Sequence, residues 1–284
     1  MKLLPLLFAF AAALFGPARA IAQHHVEVPR TDGASTPLAV YEPSAAGKGC
    51  APLALISHGA GGSERGLRYL GEGLARDGWR AIVIGHRESS LGVLAADMRS
   101  DGFRQGVTDL ITNADAYKAR FMDIDAARAW AQKICRAPYS ALLGHSMGAI
   151  TVMLEAGATN KLGLAAAGGF DAYVALSPEG PGPVFPPDAW RPIRAPMLLI
   201  TGTRDRGLEG DYTWRTQAWD GLGPGCRWLA VIDGASHMDL GGGRSTNARI
   251  EAAAVALATR YLDALRRGNC ANAPRLDGVA LRTK

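Results

Sequence analysis

Three residues of this sequence, Ser146, Asp205 and His237, could together break an acyl bond. Ser146 lies in Gly144-His145-Ser146-Met147-Gly148, directly behind the apolar run Tyr139-Ser-Ala-Leu-Leu-Gly144. A serine hydroxyl is a poor nucleophile at neutral pH and needs a base within hydrogen-bond reach. His237, in Gly234-Ala-Ser-His237-Met-Asp239, is the candidate base. Asp205, in Thr201-Gly-Thr-Arg-Asp205, would fix the imidazole tautomer and stabilise the imidazolium formed during attack. Glu209 and Asp211 lie close enough to serve as the acid instead; Asp205 is preferred because it follows the end of its strand, Thr201, by four residues. Asp239 reads as a carboxylate that stabilises the histidine loop.

A Gly-x-Ser-x-Gly string is common in glycine-rich turns, so its weight comes from a strand before it and a helix after it. Both are expected. Nearly continuous apolar runs at 51–57, 80–86, 139–144, 172–177, 196–201 and 227–233 read as buried strands. Helical sequence follows at Gly66–Trp79, 107–133, from Met147, at 211–221, and from Ser245 to Arg267. Two short alternating segments within residues 22–43 read as an N-terminal hairpin. Such alternation predicts an α/β fold: a mostly parallel central sheet flanked by helices on both faces. Ligands of such sheets bind at the carboxyl ends of the strands. Ser146, Asp205 and His237 all follow strands, and so share that edge.

The first twenty residues have one lysine, an unbroken apolar stretch from Leu3 to Phe15, and a small-x-small ending at Ala18-Arg19-Ala20. This is the layout of a secretory signal peptide, with cleavage expected after Ala20 and export to the periplasm or beyond the cell. The apolar stretch is shorter than the roughly 20 residues that span a bilayer. Residues 21–284 are expected to form one domain. Cleavage removes Lys2 and Arg19 and no acidic residue, taking the formal charge from +5 to +3. That mild excess, without a basic block or an aromatic-arginine stripe, argues against a nucleic-acid partner. Four cysteines, Cys50, Cys135, Cys226 and Cys270, form no Cys-x-x-Cys and no Cys/His cluster. An even count in an exported chain suggests disulfides rather than a metal site, and no metal or cofactor is expected.

In combination, strand-GHSMG-helix, TGTRD, GASHMDL and SHGAGGS resemble the nucleophile elbow, acid loop, histidine loop and oxyanion loop of the α/β-hydrolase superfamily. The chain order Ser, Asp, His matches as well. Within that superfamily SHGAGG, GHRESS and ALSPEGPG look most like dienelactone-hydrolase-like and platelet-activating-factor-acetylhydrolase-like esterases, with cutinase-like bacterial polyester hydrolases as neighbours. Position 146 is serine, where some dienelactone hydrolases carry a nucleophilic cysteine. The resemblance implies an exported serine hydrolase cleaving small or polymeric carboxylic esters through an acyl-enzyme. Two alternatives stay open: a polyester or lipid hydrolase with the same triad, and a non-catalytic binding module of this fold.

The resemblance also implies backbone oxyanion donors at Met147, after the nucleophile, and at Ala60 in HGAGG. With the usual strand order of the fold it pairs Cys50 with Cys135 and Cys226 with Cys270, at the edge opposite the triad. His58 and His145 read as loop supports, with His145 also a pocket candidate, and His86 as a structural hydrogen-bond partner. Among Trp190, Trp214 and Trp219, Trp190 is the expected contact for the acyl or alcohol group. The polar stretch 88–106 reads as an irregular pocket wall or short lid.

Overall fold

The computed structural model describes residues 21–44, 49–243, 247–271 and 273–284. The expected signal peptide lies outside the described residues. Nine strands form one sheet: β1 (Gln23–Pro29), β2 (Ser35–Tyr41), β3 (Leu53–Ser57), β4 (Arg80–Ile84), β5 (Ser140–His145), β6 (Ala172–Leu176), β7 (Met197–Arg204), β8 (Arg227–Ser236) and β9 (Val279–Thr283). Their order is β1-β2-β4-β3-β5-β6-β7-β8-β9. The six strands β4 to β8 in that order are mutually parallel, and β2 and β9 close the parallel block antiparallel on its two sides. The β1–β2 hairpin is the one expected at the N-terminus. This is the α/β-hydrolase fold.

The continuous apolar runs follow from burial on both faces. Along β3, Leu53 and Leu55 join one hydrophobic cluster while Ala54 and Ile56 join the other. Successive side chains of a strand point to opposite faces, so a strand covered on both needs no polar position. One face carries α3 (Ala114–Ile134) and α4 (Met147–Glu155). The other carries α1 (Arg68–Arg76) and α7 (Ala248–Arg266), the latter through Ile250, Ala254, Leu257, Ala258 and Tyr261 at helical spacing.

Two elements depart from the sequence expectation. The stretch read as an irregular wall is mostly helix: α2 runs Leu91–Thr112, broken at Gly102, where φ is 80°. Only glycine adopts such a backbone without strain. Asn113 then caps a fresh helix by accepting from the N–H groups of Asp115 and Ala116, which splits the helical sequence expected over 107–133. The strand β9 was not expected at all. It pairs with β8 from Trp228↔Thr283 to Ile232↔Val279. The remaining helices are α5 (Tyr212–Gly221) and the single turn α6 (His237–Leu240).

Cys50 meets Cys135 and Cys226 meets Cys270 at disulfide distance, with Cα separations of 5.5 and 5.8 Å. Both pairs lie at the amino ends of strands, Cys50 just before β3 and Cys226 just before β8. No described helix is long and apolar enough to cross a membrane.

Candidate active site

Ser146 ends β5 and begins α4 in a turn at φ 55° and ψ −119°. Such a backbone is costly for a residue with a side chain and persists only where the surroundings impose it. The surroundings here are close. A Cβ on Gly144 would run into the Gly148 carbonyl, and one on Gly148 into the carbonyls of Ser57 and His58. The turn thus lifts Ser146 while Gly148 lies against the loop that follows β3.

Asp205 follows β7 and is fully buried. Its Oδ2 accepts from Thr201 Oγ1 at 2.9 Å, and its Oδ1 faces both His237 Nδ1 at 3.0 Å and Arg215 Nε at 2.9 Å. Burial pushes this carboxyl up, but the hydrogen bond with His237 and the Arg215 charge outweigh it and hold it below the usual range. Asp211, the rival acid, instead caps α5 by accepting from the Thr213 N–H at 2.8 Å.

His237 is the first residue of α6, whose start is fixed by a reciprocal cap. Ser236 N–H donates to Asp239 Oδ2 at 2.9 Å, and Asp239 N–H to Ser236 Oγ at 3.4 Å. Asp239 is therefore the loop carboxylate the sequence suggested. The ionised Asp205 can only accept, so His237 Nδ1 carries the proton and Nε2 is left to accept from Ser146 Oγ at 3.0 Å. Arg215 Nη2 stands 3.1 Å from the same Nδ1. Two donors cannot bond each other. The guanidinium is satisfied instead by the carbonyls of Ser177, Pro178, Asp205 and Arg206. It therefore packs its positive charge against the imidazole edge without bonding it.

The loop after β3 covers the serine. A Cβ on Gly59 would stand 3.1 Å from Ser146 Cβ. Among the described residues neither Ala60 nor Met147 gives its N–H to a backbone carbonyl, whereas Gly61 N–H is bonded to Ser89 O and Gly62 N–H to Gly59 O. Met147 is the first residue of α4, where helical N–H groups lack an internal partner and the helix dipole is positive.

Two pocket expectations need correction. Trp190 is fully buried, its ring 5.6 Å from Phe185 and its Nε1 donating to Met153 Sδ, so it offers a substrate no surface. His145 is 6% exposed and lies behind His237, its Nε2–H donating to the His237 carbonyl at 3.0 Å with ring centroids 4.7 Å apart. It backs His237 rather than lining a cavity. Arg215 had no signal in the sequence: an arginine between two tryptophans of a helix reads as solvated. An open groove of about 600 Å³ between α1 and α7 has none of Ser146, Asp205 or His237 in its lining. Among the described residues no group of three or more His, Cys, Asp or Glu is arranged to hold a metal ion.

No protein-family model matches the sequence, and no curated protein matches it. Solved structures do resemble it. A protein from Klebsiella pneumoniae subsp. pneumoniae, provisionally described as a dienelactone hydrolase, superposes with a TM-score of 0.62 at 18% identity, covering 88% of this chain and 100% of that one. Dienelactone hydrolase from Anabaena variabilis superposes with a TM-score of 0.52 at 18% identity, covering 86% of this chain and 97% of that one. At that identity the likeness is one of fold.

Proposed function

We propose that this protein is an exported, single-domain serine hydrolase that cleaves carboxylic esters. The observation that carries the reading is the continuous chain from Ser146 Oγ to His237 Nε2 and from His237 Nδ1 to Asp205 Oδ1, each link 3.0 Å. Three residues far apart in sequence, on three strand ends, have no structural need to form that chain. The fold shared with dienelactone hydrolases agrees with it.

In this reading His237 takes the Ser146 proton as Oγ attacks the ester carbonyl. The tetrahedral oxyanion is met by Ala60 N–H and Met147 N–H. His237 then gives the proton to the departing alcohol, leaving an acyl group on Ser146. Water, activated by the same imidazole, attacks the acyl-enzyme and releases the acid. Asp205 keeps the tautomer throughout, and Arg215 keeps Asp205 ionised. Each oxyanion donor contributes about 3 kcal/mol by comparison with measured cases. Export is supported by the N-terminal sequence and by the two cysteine pairs.

One observation favours a substrate with an apolar acyl chain, the lipid or polyester alternative. Met238, next to His237, is 63% exposed, and Leu91, which packs near Gly61 of the oxyanion loop, is 67% exposed. The test is hydrolysis of p-nitrophenyl esters from acetyl to dodecanoyl, run beside Ser146→Ala. Turnover by the wild type and a fall of several orders of magnitude in the variant is the expected result. A folded wild type no faster than Ser146→Ala on every ester would return the chain to the binding-module reading.

A further inference from the structure

Behind the oxyanion loop lies a second, fully buried set of polar groups. Ser57 Oγ, His86 and Asp123 are linked in the manner of a triad: Ser57 Oγ to His86 Nε2 at 2.9 Å, and His86 Nδ1 to Asp123 Oδ2 at 2.8 Å. It has no access to substrate, since Ser57 and His86 are at most 2% exposed and Asp123 is 1% exposed. Arg120 Nη1 also donates to Ser57 Oγ at 3.0 Å, which makes that oxygen an acceptor from arginine and a donor to His86. These bonds are directional, and they converge on His58. Arg120 Nη1 donates to the His58 carbonyl at 2.8 Å, and His86 N–H donates to His58 Nε2 at 3.0 Å.

The second of those bonds settles the His58 tautomer. A backbone N–H can only donate, so Nε2 is bare and Nδ1 carries the hydrogen. Nδ1–H then donates to the Gly59 carbonyl at 2.7 Å. That carbonyl belongs to the same peptide group as the Ala60 N–H, and in a planar trans peptide the two point in opposite directions. We propose that His58 is a positioning residue for the oxyanion donor: its single tautomer holds the Gly59 carbonyl and so aims the Ala60 N–H at the substrate oxygen over Ser146. The proposal rests on the serine-hydrolase reading.

Three further observations support it. Gly62 N–H reaches the same Gly59 carbonyl at 3.1 Å, so the peptide is held from two sides. A Cβ on Gly62 would stand 2.6 Å from His58 Nδ1, so the ring packs directly against that glycine and a larger residue there would displace it. Burial, with the nearby His86 and Arg120, keeps the His58 imidazole well below its ordinary pKa and therefore neutral. A protonated ring would set a second N–H against that of His86.

The test compares wild type with His58→Leu, His58→Asn and Gly62→Ala. It reads kcat and KM on p-nitrophenyl acetate, the thermal midpoint, and inhibition by phenylboronic acid, whose tetrahedral serine adduct places a hydroxyl among the oxyanion donors. His58→Leu is expected to lose kcat roughly thirtyfold to a hundredfold, somewhat less than outright loss of a donor. KM should stay within about twofold, and the boronate should weaken in step with kcat. His58→Asn, whose amide N–H can reach Gly59, should recover at least about tenfold of the kcat. A His58→Leu enzyme with wild-type kcat overturns the proposal. So does equal impairment of the Leu and Asn variants with KM and thermal midpoint moving together. If His58→Leu does not fold, Gly62→Ala decides: displacement of the ring should lower kcat without raising KM, and wild-type kcat would overturn the proposal. Nitrogen-15 NMR of the unliganded wild type should show His58 protonated at Nδ1 alone, and an Nε2-protonated ring overturns it regardless of activity. A wild type without turnover on any ester would sink the hydrolase reading and the oxyanion role with it. An active wild type beside an unimpaired His58→Leu would sink the role of His58 alone.

Discussion

Arg215 Nε stands 2.9 Å from Asp205 Oδ1, the same carboxylate oxygen that faces His237 Nδ1 at 3.0 Å. One buried oxygen thus serves the imidazole and the guanidinium together, and the helix α5 is tied to the acid loop through it. Replacing Arg215 by Met removes the charge that offsets the burial of Asp205 and strips hydrogen bonds from four loop carbonyls. Breaking a buried ion pair by removing one partner costs about 3–5 kcal/mol. Arg215→Met is expected to lower the thermal midpoint markedly and kcat at least tenfold, and Arg215→Lys, with a charge but no fork, should fall between. Wild-type kcat and stability in Arg215→Met would show that the contact is incidental.

How much of this was legible beforehand depends on the distance over which a residue's partner lies. The strands 51–57 and 139–144 announced themselves because burial on both faces demands apolar residues throughout. Ser146, Asp205 and His237 were legible as candidates because each follows such a strand, and the fold brings strand ends together. Arg215 and Arg120 were not, because a charged residue in a helix looks solvated until the chain that pairs with it is in place. Arg120 bonds Ser57, 63 residues away, and Arg215 bonds Ser177, 38 away. The helix α2 was hidden for a local reason: Gly92, Gly102 and Gly106 lower its propensity, and it breaks at Gly102. Trp190 misled because a tryptophan beside prolines in a loop looks like a pocket wall, whereas the loop folds it into the core.

The carboxyl of Glu155 gives a pH-dependent prediction. Burial pushes it up to about 7, although its Oε2 accepts the Gly168 N–H at 2.8 Å. The folded protein therefore keeps the proton over a range, upward from the ordinary 4.5, in which the unfolded chain has released it. Stability from this group is complete at low pH and declines as pH rises towards 7. Glu155→Gln keeps the acceptor and abolishes the titration. Its thermal midpoint should exceed that of the wild type at pH 8, by an amount corresponding to about 3 kcal/mol at most, and match it below the ordinary carboxyl value of 4.5. Equal midpoints at pH 8 would mean that the ionised carboxylate is well solvated.

The histidines oppose this trend. His58, His86 and His145 are held well below the ordinary histidine pKa, by burial first and then by neighbouring positive groups. In acid the unfolded chain binds protons that the folded one refuses, so stability is lost as pH falls below about 6.5. Nitrogen-15 NMR of the folded protein should therefore show these three rings still neutral at about pH 5.5, where an ordinary histidine is mostly charged. A ring charged at that pH in the folded protein would contradict its burial.

The cysteine pairs close segments of 85 and 44 residues. By the loop-entropy relation each bond would stabilise the fold by about 4 kcal/mol, slightly more for the longer segment. Peptide mapping without reductant should recover Cys50 linked to Cys135 and Cys226 linked to Cys270. Dithiothreitol should lower the denaturation midpoint of the wild type, while a variant with all four cysteines replaced by serine should be insensitive to it. Free thiols in the protein isolated without reductant would remove both the bonds and one support for the proposed export.

Two exposed apolar side chains lead to the prediction that bears on substrate. Met238 follows the proposed base in the chain and Leu91 lies near Gly61 of the proposed oxyanion loop, both more than half exposed. Isolated exposed apolar residues are ordinary on a protein surface, so exposure alone decides nothing. Their position gives a sharper criterion. An acyl chain extending from the carbon bound at Ser146 would bury its methylenes against them, at about 0.8 kcal/mol, or roughly fourfold in kcat/KM, for each methylene fully covered. Met238→Ser and Leu91→Ser should then leave p-nitrophenyl acetate hydrolysis unchanged and lower kcat/KM for the octanoate about threefold to tenfold, with the double variant losing more. A uniform loss on both esters would place the damage in the loops rather than in an acyl contact. No loss on either would mean that the two side chains face solvent throughout turnover, and that acyl preference is set by residues deeper in the site.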